Sequence, residues 1–224
     1  MALRVLTWNL FHGRSKPETP HSLLPEFAGF LASWEWDVAL LQEVLPWWPV
    51  ELGRACDASA RMALTSRNVL PHLQRLIAEP RPDVFKSWSG GCNAILVRGR
   101  AIEEHRIVRL RLRPERRVAH GVRLDDGLWV TNVHAQVHLD RHAQADVDHA
   151  AEATTYWAAG EPALLGGDFN LKGEPTAFGY RHLAGHWVDH VLGRGIAVVE
   201  RGRALDRGTL SDHAPMRVVV APER

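Results

Sequence analysis

Cysteine, lysine and tyrosine are scarce in this 224-residue chain, and each shortage closes off a class of protein. The two cysteines, Cys56 and Cys92, make neither a disulfide framework nor a cysteine-rich zinc site, and read as buried thiols. No apolar run approaches the roughly 18 residues of a membrane span, so no stable membrane insertion is expected. The first strand signal begins at Leu3, which leaves no room for a secretory leader, and the expectation is a soluble, cytoplasmic protein. A charge excess is missing too: the net charge is +1, so the whole molecule has no strong field for polyanions. Nine arginines do crowd between Arg98 and Arg123, against Glu103, Glu104 and Glu115. Such a band could face phosphate, but three lysines beside twenty-four arginines, with abundant alanine, mark it first as compositional bias. Low-complexity tracts, internal repeats and long linkers are absent, so residues 1–224 read as one domain, with 46% apolar residues to fill its core.

What is present is an alternation of apolar runs and amphipathic stretches. Strands are expected at 3–8, 37–42, 92–98, 105–112, 118–124, 128–134, 163–167, 187–192 and 215–221, and helices at about 21–34, 46–56, 67–78, 141–159 and 175–183. The stretch 92–134 carries successive strands with no helix between them, which argues for antiparallel pairing, whereas the remainder alternates helix with strand. The mixture predicts a four-layer α/β sandwich: two mixed, mostly antiparallel sheets face to face, with helices outside. A doubly wound parallel sheet fits less well, because the central meander has no crossovers.

Chemistry gathers at the strand ends. Ala163-Leu164-Leu165 runs into Gly166-Gly167-Asp168-Phe169-Asn170, a buried strand that delivers a carboxylate and an amide two residues apart, hence on the same side of an extended backbone. The first strand ends in Thr7-Trp8-Asn9 and the second in Gln42-Glu43, where an unpaired carboxylate after an apolar strand is costly and a divalent cation would remove the cost. Leu128 to His134 ends in an imidazole, Trp187-Val188-Asp189-His190 puts a carboxylate inside an apolar strand, and Ser211-Asp212-His213-Ala214-Pro215 precedes the last strand. Each feature alone has an ordinary structural reading. Asn9 is a turn or cap, Glu43 the start of a helix, His134 a core histidine, Asp189 an arginine partner, and Ser211-Asp212 a capped turn. Their common placement at strand ends, in this order, makes that set of coincidences the weaker account.

This ordered set resembles the endonuclease/exonuclease/phosphatase superfamily, the fold of deoxyribonuclease I-like nucleases. The match spans Trp8-Asn9 to Ser211-Asp212-His213, and the combination of Gln42-Glu43, Gly167-Asp168-Phe169-Asn170 and Ser211-Asp212-His213-Ala214-Pro215 is highly specific. Asn132-Val133-His134 and Asp189 match looser motifs. The resemblance implies Mg²⁺- or Mn²⁺-dependent hydrolysis of a phosphoester, with Glu43, Asn9 and Asp212 about the metal. It further implies that Asp168 activates the attacking water and Asn170 holds it. His213 and His134 would donate to phosphoryl oxygens, and Asp189 would orient His213. One metal or two is left open.

The match departs from abasic-site endonucleases, which place a tyrosine between the glutamate and the catalytic aspartate; Tyr156 and Tyr180 are the only tyrosines, and neither fits. Instead, Gly90-Gly91-Cys92-Asn93 resembles a strand of sphingomyelinase-like members, which makes Asn93 a candidate substrate contact, with Arg67 and Asn68 as anion contacts at the start of a helix. His12 and Arg14 fall where the first loop could line the cleft mouth. Trp8, Trp129 and Trp187 read as core, and Trp47-Trp48 as the sealed edge of a core. The reading that leads is a phosphodiesterase or nuclease acting on nucleic acid or a small phosphodiester. A sphingomyelinase-like enzyme, a small-molecule phosphatase and a catalytically silent binding module of the same fold are the alternatives. No protein partner is inferable.

Overall fold

The computed structural model describes residues 2–65, 68, 75, 76 and 90–223. Among these, twelve strands form two six-stranded sheets. The first sheet is ordered β11-β12-β1-β2-β4-β3 and the second β5-β6-β7-β8-β10-β9. In the first are β1 (Leu3–Asn9), β2 (Val38–Val44), β3 (Ala58–Leu64), β4 (Cys92–Arg98), β11 (Ile196–Ala204) and β12 (Met216–Pro222). The second holds β5 (Ile102–Arg111), β6 (Arg117–Leu124), β7 (Trp129–His134), β8 (Ala163–Asp168), β9 (Arg181–His186) and β10 (Asp189–Arg194). Each sheet has one parallel pair at its centre, β1 with β2 and β7 with β8, and antiparallel neighbours on either side.

Period-two alternation sorts the side chains into layers. Leu3, Val5, Val38, Leu40, Val130 and Leu164 fill the space between the sheets. The alternate residues Leu6, Trp8, Ala39 and Leu41 turn outward under α1 (Leu24–Ser33) and α2 (Trp48–Ala55), which cover them with Phe27, Leu31, Trp48 and Leu52. On the opposite outer face, α3 (Asp140–Ala158) lays Ala143, Val147, Ala150, Ala151 and Ala158 against Trp129, Val133 and Leu165. These residues recur at three- and four-residue spacing, and their small size lets the helix approach the sheet closely. The four-layer sandwich with mixed, mostly antiparallel sheets is therefore as expected.

Several element assignments differ. Residues 175–183 are not helical: Gly179, at φ +77°, closes a turn bridged between Ala177 and Tyr180, and β9 follows. β3, β9 and β11 lie outside the expected strands, and all three are at sheet edges, where side chains are mostly exposed; even β11, which opens on Ile196-Ala197-Val198-Val199, leaves both valines exposed. The strand expected at 187–192 starts only at Asp189, because Trp187 takes φ +58° in the hairpin turn and stands 58% exposed instead of in the core. Trp8 and Trp129 are buried, and Trp48 seals the core edge. The helix expected at 67–78 lies almost wholly outside the described residues.

Candidate active site

The two parallel pairs deliver their polar ends to the same place. Register puts Asn9 beside Gln42 at the end of the first pair and His134 beside Asp168 at the end of the second, while Asp189 pairs with Asp168 from β10. Thr7, Gln42, Asn132 and Asp168 continue the inward-facing positions of their strands, so the apolar layer between the sheets gives way to a polar one at this edge. Amides bind the sheets together beneath it. Gln42 Nε2 donates to Asn132 Oδ1 (2.8 Å), and Asn132 Nδ2 donates to Leu41 O and Ala94 O (2.9 Å each).

Above these amides a cleft of about 310 Å³ is lined by Asn9, His12, Glu43, His134, Asp168, Asn170, Asp212 and His213. Glu43 reaches it through a β-bulge: between the pairs Leu41–Ala94 and Val44–Cys92, two residues of β2 oppose one of β4, and Glu43 takes φ +49°. Regular alternation after the inward Gln42 would have sent Glu43 to the helix side; the bulge re-aims it. Gly166 and Gly167 have a different task. A Cβ on Gly167 would sit 2.0 Å from Val133 O, and one on Gly166 2.8 Å from Leu40, so only glycine lets β8 pack this tightly before Asp168.

Asp168 is the centre of the hydrogen-bond network. Asn9 Nδ2 donates to its Oδ2 (2.9 Å) and the Asn170 backbone N–H to its Oδ1 (2.9 Å), while His134 Nε2 and His213 Nε2 lie 3.6 Å and 3.9 Å from Oδ2. Burial, reinforced by the charge of Asp189, pushes the Asp168 carboxyl up to about 7 against the pull of His213, Asn9 and Asn170. His213 is set on the other side of neutrality. Burial alone would lower it, but the hydrogen bond and charge of Asp189, whose Oδ2 lies 2.8 Å from Nδ1, with the charge of Asp168, raise it to about 9. Burial also pushes Asp189 up, with the His213 contact opposing. His134 is held well below its ordinary value by burial and then by the charges of Arg117, His213 and His12, so it stays neutral. The site thus holds a basic carboxylate beside one cationic and one neutral imidazole.

The segment carrying Asp212 and His213 is stapled to the end of β1. Ser211, at φ +61°, donates from Oγ to Asn9 O (2.6 Å) and accepts from the His213 N–H (3.1 Å), and Trp8 Nε1 donates to His213 O (3.0 Å). The exposed Trp187 ring lies 5.6 Å from that of His213. Asp212 Oδ2 is 3.1 Å from Lys16 Nζ, while its buried Oδ1 meets no hydrogen-bond donor among the described residues.

All eight expected catalytic and metal-site residues meet here: seven line the cleft, and Asp189 stands behind His213. Of the substrate contacts expected elsewhere, Asn93 and Asn68 do not join them. Asn93 is fully buried in β4, where strand alternation turns it inward, and donates to Val118 O (3.2 Å) as a second tie between the sheets. Asn68 donates to Thr65 O and Gly91 O (2.9 Å each) and accepts from Gly91 N–H (3.3 Å), which fastens a loop to the start of β4. Arg67 lies outside the described residues. Lys16 and Arg117 were missed. Arg117 lines the cleft, is nearly buried, donates to Glu115 (2.7 Å) and keeps a buried Nε with no partner among the described residues, so part of the arginine band does face the site.

Asp168, Asp189 and His213 offer ligand atoms within 4.8 Å of one another, as a metal centre would. An imidazolium between the two carboxylates already offsets one of their charges and occupies the space between them, so a cation is better served by Glu43 and Asp212 across the cleft.

Comparison with known proteins gives the fold and the family. No curated protein matches the sequence. An endonuclease/exonuclease/phosphatase from Bacteroides vulgatus superposes with a TM-score of 0.73 at 14% identity, covering 100% of both chains. A mannosyl-6-phosphatase of Bacteroides thetaiotaomicron gives 0.68 at 16%, covering 98% of this chain and 99% of its own. TDP2 from C. elegans gives 0.68 at 13%, covering 98% of this chain and 75% of its own. At such identities the likeness shows the fold. The model of the Endonuclease/Exonuclease/phosphatase family matches residues 6–213, from the core of β1 to His213, and the chain belongs to that family.

Proposed function

We propose that this protein is a divalent-metal-dependent phosphoester hydrolase, a phosphodiesterase or nuclease, in which Asp168 activates the attacking water. The observation that carries the reading is the arrangement around Asp168: a buried carboxylate, pushed up by burial, 3.9 Å from the His213 imidazole, which Asp189 holds at 2.8 Å and favours in its protonated form. A general base poised near neutrality and a cationic donor beside it are what hydrolysis of an anionic ester requires. Asp168 accepts a proton from water, and Asn170 holds that water. His213 donates to a phosphoryl oxygen as charge accumulates, with Asp189 fixing its ring, and neutral His134 supplies a second hydrogen bond.

The donor set fits Mg²⁺ or Mn²⁺. Glu43 is a cleft-lining carboxylate approached by imidazoles rather than by arginine, and Asp212 Oδ1 is a buried acceptor without a donor among the described residues. Asn9 Oδ1 accepts from Phe11 N–H (2.9 Å) and keeps a second lone pair. Bound there, the cation would act as Lewis acid and template for the phosphoryl group.

The small cleft favours a second reading, a small-molecule phosphatase, since about 310 Å³ sits at the lower end of ligand sites; the mannosyl-6-phosphatase likeness points the same way. A hydrolysis panel with Mg²⁺ or Mn²⁺ tests both. It spans bis-p-nitrophenyl phosphate, p-nitrophenyl phosphate, single- and double-stranded DNA, RNA, an abasic-site duplex and sphingomyelin, with Asp168→Ala as control. Metal-dependent turnover of diesters, lost in the variant, supports the leading reading. Turnover of monoesters alone selects the second, and no turnover despite metal binding leaves a phosphoester outside the panel or a silent module.

A further inference from the structure

The loop after β1 has an unusual backbone. Phe11, His12 and Gly13 take φ of +51°, +53° and +72°, and a Cβ on Gly13 would lie 2.4 Å from the Trp48 ring, so the turn is pressed onto α2. This turn sets the His12 ring between two oxygens of different kind. Nδ1 is 3.1 Å from Gly90 O, and Nε2 is 3.2 Å from Glu43 Oε2. A carbonyl can only accept, so Nδ1 carries the proton. Nε2 therefore faces the Glu43 carboxylate, where it either donates as an imidazolium or offers a lone pair that a cation shares with Glu43, two arrangements that metal binding tells apart. Ligands at right angles around an ion with bonds of about 2.1–2.2 Å lie about 3 Å apart, close to the separation seen here. An imidazole that gives its other N–H to a backbone carbonyl is also the usual posture of a metal-bound histidine.

We propose that His12 is a nitrogen ligand of the divalent cation, shared with Glu43, and that it biases the site toward Mn²⁺ over Mg²⁺. The inference rests on the metal-dependent reading above and adds a ligand and a selectivity to it. Mg²⁺ holds to oxygen donors and water, whereas a first-row transition ion gains from an imidazole; Mn²⁺ gains least of these ions, and it shares with Mg²⁺ the oxygen donors of the rest of the site.

The test is metal binding by the full chain, without turnover. Mn²⁺ electron spin echo spectra would be recorded with natural-abundance and ¹⁵N-histidine protein for wild type, His12→Gln, His134→Gln and Glu43→Gln, beside equilibrium dialysis with Mn²⁺ and with Mg²⁺. The expected result is a directly bound imidazole nitrogen in wild type and in His134→Gln that disappears in His12→Gln. Mn²⁺ affinity should fall there by about 10–100-fold or more, with a smaller change for Mg²⁺. Bound Mn²⁺ with no nitrogen coupling, or coupling that survives His12→Gln and vanishes in His134→Gln, overturns the role of His12. If Glu43→Gln still abolishes binding, the metal site itself stands. Wild type that binds no Mn²⁺ overturns both. The wild-type spectrum decides the ligand type even if a variant fails to fold.

Discussion

Asp168 and His213 are buried side by side, and their displacement in opposite directions makes a pH prediction with a definite sign. Asp168 must be ionised to accept a proton, so kcat/KM should rise through its pKa, about 7 in the metal-free site and lower with a cation beside it; His213 must keep its proton, so activity should fall through a second limb at or below about pH 9. The limbs belong to the linked cluster. Removing Asp189 should move both. Its charge helps raise Asp168 and its hydrogen bond raises His213, so in Asp189→Asn the rising and falling limbs shift to lower pH, and kcat drops by about 10²–10⁴-fold. A pH-rate profile checks both statements; limbs that stay in place while kcat falls would remove Asp189 from its positioning role.

At the scale of elements, the polar edge works because the sheets are tied together just below it. Asn132, read from the sequence as part of a site motif, is instead structural: its amide accepts from Gln42 and donates to Leu41 O and Ala94 O, joining β7 to β2 and β4. Asn132→Ala removes one acceptor of the Gln42 amide and the donor to Leu41 O and Ala94 O, and should cost about 1–3 kcal/mol in urea unfolding. In Asn132→Asp one oxygen still accepts from Gln42 but the other faces two carbonyl oxygens, so the buried carboxyl either carries an unpaired charge or takes up a proton, and a larger loss that grows with pH is expected. A variant as stable as wild type would show that the tie is not needed. Glu43 is the complementary case, a residue placed by backbone geometry, since the bulge at φ +49° turns it from the helix side to the cleft.

For the whole molecule, near-neutral charge and a compact cleft predict a weak electrostatic grip. With a net charge of +1, KM for the preferred substrate should change little between 50 and 200 mM NaCl, as for one phosphate held locally; a substrate held through 6–10 phosphates would lose about 10³–10⁵ in affinity over that range. Steep salt dependence would point to an extended nucleic acid. No helix among the described residues is long and apolar enough to cross a membrane. Much of the site was legible because its residues end buried strands: the apolar runs before Asn9, Glu43, His134 and Asp168 announce a strand, and the polar residue at its tip is conspicuous. Edge strands β3, β9 and β11 left no such trace, since exposed positions carry no alternation to find. Nor could local pattern separate the amides that serve chemistry from those that bind the sheets, as Asn93 and Asn132 show. Order along the chain, and the family resemblance it carries, pointed to the layered fold, to seven of the residues that line the cleft and to the pairing of Asp189 with His213. Folding alone settled the tie through Asn132, the place of Arg117 and the meeting of His12 with Glu43, because contacts between distant segments depend on register, bulge and turn, and none of these is written in the spacing of residues.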